Sequence, residues 1–480
     1  MKLRKLLEGI EILNDFDNFD FDIKGISYDS RQIEKDSIFV CLKGSNFDGH
    51  KFASEAMKNG AKVVVCERNL GLESQIIVKN TRKTLAKLSA NFFENPSEYL
   101  NVIAITGTKG KTTTASFISD VLNYSGKKTV QIGTLGAIFE KDKFCTKNTT
   151  PESFEIQKLL KKALDLGFKN VVLEASSIGL KNHRLDDISI NYGVFTNLSS
   201  DHIGINEHEN MQDYIKSKSL LFKMCKIGII NIDDKLCNEV IDGHSCKIKT
   251  YGFNKSADLK CDKFQICKNE MGSNFVVDGH NFSISIPGKY NIYNALAAIS
   301  VCKEMKINYE KIKDCLKNCK IRGRSEVVFK NSSITILIDY AHNSFGLENI
   351  LTSLREYNPK RIVTLFGAGG NRDRNRRFSM GRISGKLSDL SVITSDNSRY
   401  ESTNDIIEDI KTGISETSGK YVIIPDRREA IEYCIKNSKD GDLILLAGKG
   451  HETYQEINGF SYHFDEKEIV NDILNEQKIV

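Results

Sequence analysis

An α/β fold in three domains is what this chain of 480 residues predicts. Three observations carry that prediction. Short β-like runs crowd roughly the first hundred residues, apolar strands and helical segments alternate from Asn101, and the same alternation restarts after about Arg322. Buried apolar runs separated by helical stretches describe a mostly parallel sheet with helices on both faces.

Taken in order, the first domain (1–98) holds ISYDS, SIFVCL, AKVVVCE and QIIVKN, then a helical TRKTLAKLSANFFENPSEY that runs up to Pro96. The second (99–322) strings NVIAIT, NVVLEAS, YGVFTN and IGIIN between helices. Alternating, hairpin-like sequence interrupts it at 255–286, and a helix begins near Asn291. The third (323–480) runs through SSITILIDYAH, RIVTLFGAGG, LSVITSDN, YVIIPD and DLILLAGKG, each followed by a helical stretch.

Composition narrows the function. Charged residues are 27% and hydrophobic residues 40%, an ordinary globular balance, and a net charge of +5 gives no case for nucleic acid as partner. No apolar run approaches the roughly 20 residues that cross a bilayer. The opening MKLRKLLEGIEILNDFDNFD is too acidic and broken for a signal peptide, so a cytoplasmic location is expected. None of the 12 cysteines forms a CxxC pair, which argues for buried small hydrophobes rather than a metal site.

The sharpest local signal is Thr106-Gly107-Thr108-Lys109-Gly110-Lys111-Thr112-Thr113, between the apolar strand NVIAI and the helical TTASFISDVLNYSG. Small residues there let backbone N–H groups converge on phosphate, and the helix N-terminus adds positive potential. Lys111 would reach the β/γ-phosphates and the Thr112 hydroxyl would ligate magnesium. Ile105 stands where the common GxxxxGK[ST] pattern has its first glycine. The central sheet is therefore expected to be of the P-loop ATPase type, flanked by a small N-terminal α/β domain and a C-terminal Rossmann-like α/β domain. Glu174 ends the strand VVLE at the sheet edge where ligand sites form, and His202 follows another apolar strand. Lys218 lies in the helical MQDYIKSKSLLF, where Lys216 is equally plausible by composition.

Together TGTKGKTT, NTTPES, EASS…HR, FTNLSSDH and YIKSK resemble the Mur ligase family in order and spacing. PGKYNIYNALAA, GRSE, DYAHNSFGLEN, FGAGGNRD, SDNSR and AGKGHETYQ continue the likeness, as do YDSR and FVCLKGSNFDGHKF near the start. The resemblance covers almost the whole chain and is nearest the MurE type. It implies an ATP-dependent ligase of peptidoglycan precursor synthesis, acting through an acyl phosphate and releasing ADP and phosphate. The implied partners are UDP-N-acetylmuramoyl-L-alanyl-D-glutamate and a diamino acid, with ATP and Mg2+ as cofactors, and a monomer is expected. On this likeness Lys111, Glu174, His202 and Lys218 are catalytic, and Thr112, Glu174, His202 and carbamylated Lys218 surround magnesium. Gly107, Thr108, Lys109, Gly110, Thr113, Asn291, Arg324, Asp339 and His342 bind ATP. Ser30, Thr149, Thr150, Ser176 and Arg184 contact the UDP-linked substrate.

The amino-acid pocket follows from the same likeness. Arg372, Asp396, Asn397, Arg399, Gly448 and Glu452 match its contacts, with Arg399 able to hold a distal carboxylate and Glu452 an ammonium. Some residues depart from the diaminopimelate pattern. Ser398 replaces the proline of DNPR, while Lys109 and the longer DHIGINEHEN resemble the lysine-adding branch; Ile178 and Ser344 replace a histidine and a proline. The balance favours meso-diaminopimelate over L-lysine. Other readings are a folylpolyglutamate-like relative and a non-catalytic, nucleotide-binding member. YDSR and DGHKF count against the first, and the intact set of Lys111, Thr112, Glu174, His202 and Lys218 against the second.

Overall fold

The structure is a computed structural model that describes residues 1–15, 21–44, 47–199, 203–204 and 207–477. It divides into two compact units, Met1–Lys260 with Leu296–Ile312, and Cys261–Ala295 with Lys313–Val480.

The first unit contains two sheets. β1 (Gly25–Ser27), β2 (Ser37–Val40), β3 (Ala61–Cys66) and β4 (Gln75–Ile77) pair in sequence order, all parallel. Their mostly buried runs leave little alternation, as expected for strands covered on both faces. The helix Thr81–Phe92 stops short of Pro96. Glu94 and Asn95 turn left-handed, and a 3-10 turn follows over Pro96–Tyr99.

The larger sheet is built from β5 (Asn101–Thr106), β6 (Thr129–Gly133), β7 (Gly136–Phe139), β8 (Asp142–Phe144), β9 (Asn170–Glu174), β10 (Ile190–Phe195), β11 (Cys225–Asn231) and β12 (Lys247–Gly252). Its order is β12-β11-β10-β5-β9-β6-β7-β8, parallel from β12 to β6 and antiparallel beyond. β5 lies between β9 and β10, and the chain leaves it to form β6 on the far side of β9. That reversal of strand order is where parallel sheets open a crevice at their C-terminal edge.

In the second unit β13 (Leu259–Cys267), whose last seven residues belong here, β14 (Gly272–Val277) and β15 (His280–Ile284) form an antiparallel meander. Its base is fixed by the buried Tyr357 hydroxyl, which donates to Gly272 O and accepts from Gly288 N, each at 3.1 Å. The main sheet comprises β16 (Glu326–Lys330), β17 (Ile334–Asp339), β18 (Arg361–Phe366), β19 (Leu390–Ile393), β20 (Tyr421–Ile423) and β21 (Asp442–Ala447). Its order is β16-β17-β21-β18-β19-β20, and only β16 is antiparallel. Separate apolar clusters cover its two faces. A hairpin of β22 (Tyr454–Ile457) and β23 (Phe460–His463) follows. Ten of the twelve cysteines are buried; Cys145 is exposed and Cys267 half-buried.

Candidate active site

Gly107 and Gly110 make the turn from β5 into the helix Lys111–Tyr124. Their φ values of 149° and 84° suit residues without a side chain. A Cβ on Gly107 would stand 1.9 Å from Thr196 Oγ1, so the loop packs directly on the end of β10. Asn197 reinforces this: its carbonyl accepts from Thr108 N at 2.8 Å and its Oδ1 from Lys109 N at 3.0 Å. Thr196 Oγ1 and Asn197 Nδ2 both donate to Lys109 O. The buried Thr113 begins the same helix.

Two lysines converge on one carbonyl. Lys111 Nζ donates to Gly107 O at 2.8 Å and Thr108 O at 3.1 Å, and Lys218 Nζ donates to Gly107 O at 2.9 Å. Lys218 is 1% exposed, 4.4 Å from the centre of the Tyr214 ring, whose hydroxyl lies 3.1 Å from Thr108 Oγ1. Lys216, two residues earlier on the same helix, is exposed. The helical turn thus separates the two lysines that composition leaves equivalent.

Glu174 closes the opposite side from the end of β9. It is fully buried, and it accepts from Thr112 Oγ1 at 3.0 Å, Thr134 N at 2.9 Å and Thr134 Oγ1 at 3.1 Å. Gly133 makes room for it, since a Cβ there would fall 2.2 Å from Glu174 Oε1. The Thr112 hydroxyl and Glu174 carboxylate are hard oxygen donors, a pairing that suits magnesium when phosphate oxygens and water complete the shell. Among the described residues no group of three or more His, Cys, Asp or Glu could hold a metal. His202 lies outside the described residues.

The residues expected to meet the UDP-linked substrate form a connected strip. Thr149 Oγ1 lies 3.1 Å from Thr134 Oγ1. Thr150 Oγ1 donates to Glu174 O at 2.7 Å and accepts from Ser176 N at 2.9 Å, and Ser176 Oγ caps Gly179 N at 3.1 Å. Arg184 donates to Thr150 O at 2.9 Å and pairs with Glu152 at 2.6 Å. Ser30 sits half-buried in the turn after β1. Beside it the Tyr28 hydroxyl donates to Glu155 Oε1, and burial pushes the Glu155 carboxyl above its ordinary range.

Asn291, Arg324, Asp339 and His342 all belong to the second unit. Asn291 Nδ2 donates to Pro287 O at 2.7 Å and its Oδ1 accepts from Asn294 at 2.9 Å. Burial raises the Asp339 carboxyl, although the Arg324 guanidinium and Ser325 N at 2.7 Å oppose this. Arg324 lies 4.7 Å from the centre of the Tyr340 ring, and His342 Nδ1 donates to Tyr340 O at 2.8 Å.

The same unit gathers most of the expected amino-acid contacts at the ends of β19 and β21. Asp396 is buried; burial alone would raise its carboxyl, but Lys449 and Arg427 outweigh that and hold it below the usual range. Gly448, with φ at 115°, lets Asp396 approach, since a Cβ would lie 2.6 Å from Asp396 Oδ2. Asn397 Nδ2 donates to Glu452 Oε2 at 2.9 Å. Arg399 donates through Nη1 to Gly370 O at 2.6 Å and through Nε to Glu456 at 3.1 Å. Arg372 is exposed, with its Cγ 3.9 Å from where a Gly369 side chain would begin. Nothing local in the sequence marks Thr134, Tyr214, Glu456 or Lys449; only which strand end each one meets gives it a part. Asn197 carried a usable signal, a polar residue directly after a buried strand.

Residues 22–93 match the Mur ligase family catalytic domain, 105–302 the Mur ligase middle domain, and 323–450 the Mur ligase glutamate ligase domain. A UDP-N-acetylmuramoyl-L-alanyl-D-glutamate–2,6-diaminopimelate ligase of Clostridium acetobutylicum is 40% identical over 484 residues, covering 99% of this chain and all of that one. The chain belongs to the Mur ligase family. A ligase of the same name from Caldanaerobacter subterraneus is 40% identical over 489 residues, with both chains fully covered. A solved structure of a ligase so named superposes with a TM-score of 0.71 at 28% identity, over 100% of this chain and 99% of that one. The Mur ligase fold in three α/β domains is therefore that of this chain as well.

Proposed function

We propose that this Mur ligase joins meso-diaminopimelate to the D-glutamate of UDP-N-acetylmuramoyl-L-alanyl-D-glutamate at the expense of ATP. The observation that carries the reading is full-length 40% identity to ligases of that name. The arrangement around Gly107 and Glu174 supports it chemically.

A carboxylate is a poor acyl donor because its leaving group would be oxide. Attack of a carboxylate oxygen on the γ-phosphorus forms a new O–P bond, breaks the bridging P–O bond and releases ADP. The substrate amine then attacks the acyl carbon, and phosphate leaves with the electron pair of the C–O bond as the amine loses a proton. Lys111 exchanges its bonds to Gly107 O and Thr108 O for phosphate oxygens, and the backbone N–H groups of the loop hold the same group. Thr112 and Glu174 would hold a magnesium ion, which would supply charge neutralisation at the phosphoryl oxygens. Lys218, buried beside the loop, would carry CO2 as a carbamate and so supply an anion able to hold a second magnesium. Ser30, Thr149, Thr150, Ser176 and Arg184 orient the UDP-linked acceptor. Arg399 takes the distal carboxylate and Glu452 the ammonium of the incoming amino acid. The three domains divide near residues 98 and 322. A folylpolyglutamate-like activity is disfavoured, because relatives that match along their full length carry the diaminopimelate ligase name.

An ADP-release assay with the UDP-linked dipeptide and ATP, run in parallel with meso-diaminopimelate, L-lysine and L-ornithine, tests this. Turnover with diaminopimelate is expected. Turnover with lysine alone would overturn the choice of amino acid, and silence with all three would overturn the ligase itself. Lys218→Ala should lose most activity and regain part of it with added short carboxylic acids, whereas Lys216→Ala should stay active. An undiminished Lys218→Ala would remove the carbamate.

A further inference from the structure

Lys449 follows β21 between Gly448 and Gly450, whose φ values of 115° and 54° turn the chain sharply and drive the lysine inward. Its side chain is 0% exposed. A buried ammonium needs partners, and this one has two from the pocket's own wall. Nζ donates to Asn397 Oδ1 at 3.0 Å and to Glu452 Oε2 at 3.2 Å, with the Tyr454 ring centre 5.6 Å away.

The bonds around it leave each group one orientation. Asn397 Oδ1 accepts from Lys449 and also from Glu456 N at 3.0 Å, so the amide nitrogen has to point the other way. There it meets Glu452 Oε2 at 2.9 Å. Lys449, Asn397 and Glu452 close a triangle in which Oε2 takes two donors. Among the described residues Glu452 Oε1 carries only a long contact from the Tyr340 hydroxyl, at 3.4 Å. It is the oxygen with capacity for another donor.

We propose that Lys449 is a positioning residue for the amino-acid substrate, locking Glu452 so that Oε1 faces the ammonium of the incoming diamino acid. The assignment rests on the amino-acid pocket described under the proposed function. It adds a reason why a pocket for a cation contains a buried cation of its own. Without Lys449, Glu452 Oε2 keeps only the donor from Asn397, whose amide Glu456 N still orients, so Glu452 gains freedom to swing and the ammonium meets a less fixed carboxylate. Removing Lys449 also leaves Asp396 and Glu452 short of a cation, so some fall in Tm is expected beside the loss of orientation, and the selective change in KM is the readout that distinguishes the two.

The test uses the full chain and steady-state kinetics with each of the three substrates varied in turn. Lys449→Met should raise KM for diaminopimelate about tenfold or more, the size expected for loss of a hydrogen bond to a charged group. kcat and the KM values for ATP and the UDP-linked dipeptide should change little. Lys449→Arg, which retains charge and several donors, should recover most of the lost affinity. An unchanged KM for diaminopimelate, or a uniform fall in every parameter together with Tm, would overturn the assignment. If Lys449→Met does not fold, Lys449→Gln decides on the same criterion. The unmodified protein is measured first, since its silence with diaminopimelate would overturn the underlying reading, and this assignment with it.

Discussion

At Glu174, one carboxylate meets three donors in a space too dry for water to substitute. A glutamine of the same shape could set its oxygen on Thr134 N and its NH2 on the two threonine hydroxyls, which can rotate to accept, so the change keeps the packing and removes the negative charge. Glu174→Gln is therefore expected to lower ADP release by about 100-fold or more, the scale of losing a group that stabilises charge at the reacting centre. Circular dichroism and Tm should remain near those of the unmodified chain; a fully active variant would remove Glu174 from the chemistry. The residues readable from sequence were those whose role is local. The run 107–113 needs only a strand before it and a helix after it, and Glu174 needs only a strand end. By composition alone Lys218 could not be told from Lys216, because residues two apart on a helix point to different sides and only the packed sheet decides which side is buried; the family likeness, not the local sequence, singled out Lys218. Lys449 was unreadable for a similar reason: a lysine between glycines in a turn is ordinarily solvated.

Among the elements, the segment Ser395–Arg399 meets the hairpin β22–β23. Arg399 N donates to Glu456 O at 3.0 Å, Arg399 O accepts from Asn458 N, and Arg399 and Ile457 form an isolated parallel bridge. Arg399 itself adopts a left-handed φ of 53°. Ser398, which stands at the proline of the DNPR pattern that the segment resembles, thus leaves the arginine held by strand-like pairing rather than by a ring. The Ser398 carbonyl accepts from Glu401 N, whereas among the described residues its own N–H donates to nothing, and its φ is not left-handed. Ser398→Pro removes no hydrogen bond and is expected to retain turnover with a Tm equal to or slightly above that of the parent. A loss of activity with unchanged Tm would mean that the loop needs the freedom serine provides. The meander β13–β15 and the two alternating series were legible from periodicity. The end of the helix Thr81–Phe92 was not, because the left-handed pair Glu94 and Asn95 stops it before Pro96 can.

For the molecule as a whole, stability should depend on pH through carboxylates clamped by arginine in the second unit. Arg374 and then Arg377 hold Asp409 below the ordinary carboxylate range. Glu401, which burial alone would raise, is held down by Arg377 and Asn371 N. A depressed folded value means that both groups stabilise the fold fully above the unfolded value of about 4, and that this contribution disappears as pH falls through the folded values. Tm should hold steady near neutrality and drop below about pH 4. Asp409→Asn should lower Tm at pH 7, by the equivalent of about 3 kcal/mol, because it leaves the buried Arg377 short of a partner. Its acid limb should be shallower than that of the parent; an identical limb would place the titration elsewhere.

Arg399's bonding to the hairpin also bears on how this enzyme could drift between amino acids. The arginine inherits the register of β22, and a register moves only in whole residues, each step turning side chains to the opposite face. A one-residue slip of Arg399 along Ile457–Asn458 would therefore turn the guanidinium away from Glu456 in one stroke rather than by degrees. On the role proposed for Arg399, substrate choice would be a toggle whose lever lies some sixty residues downstream of the residue it moves. A directed-evolution campaign that randomised only the pocket walls would never touch it.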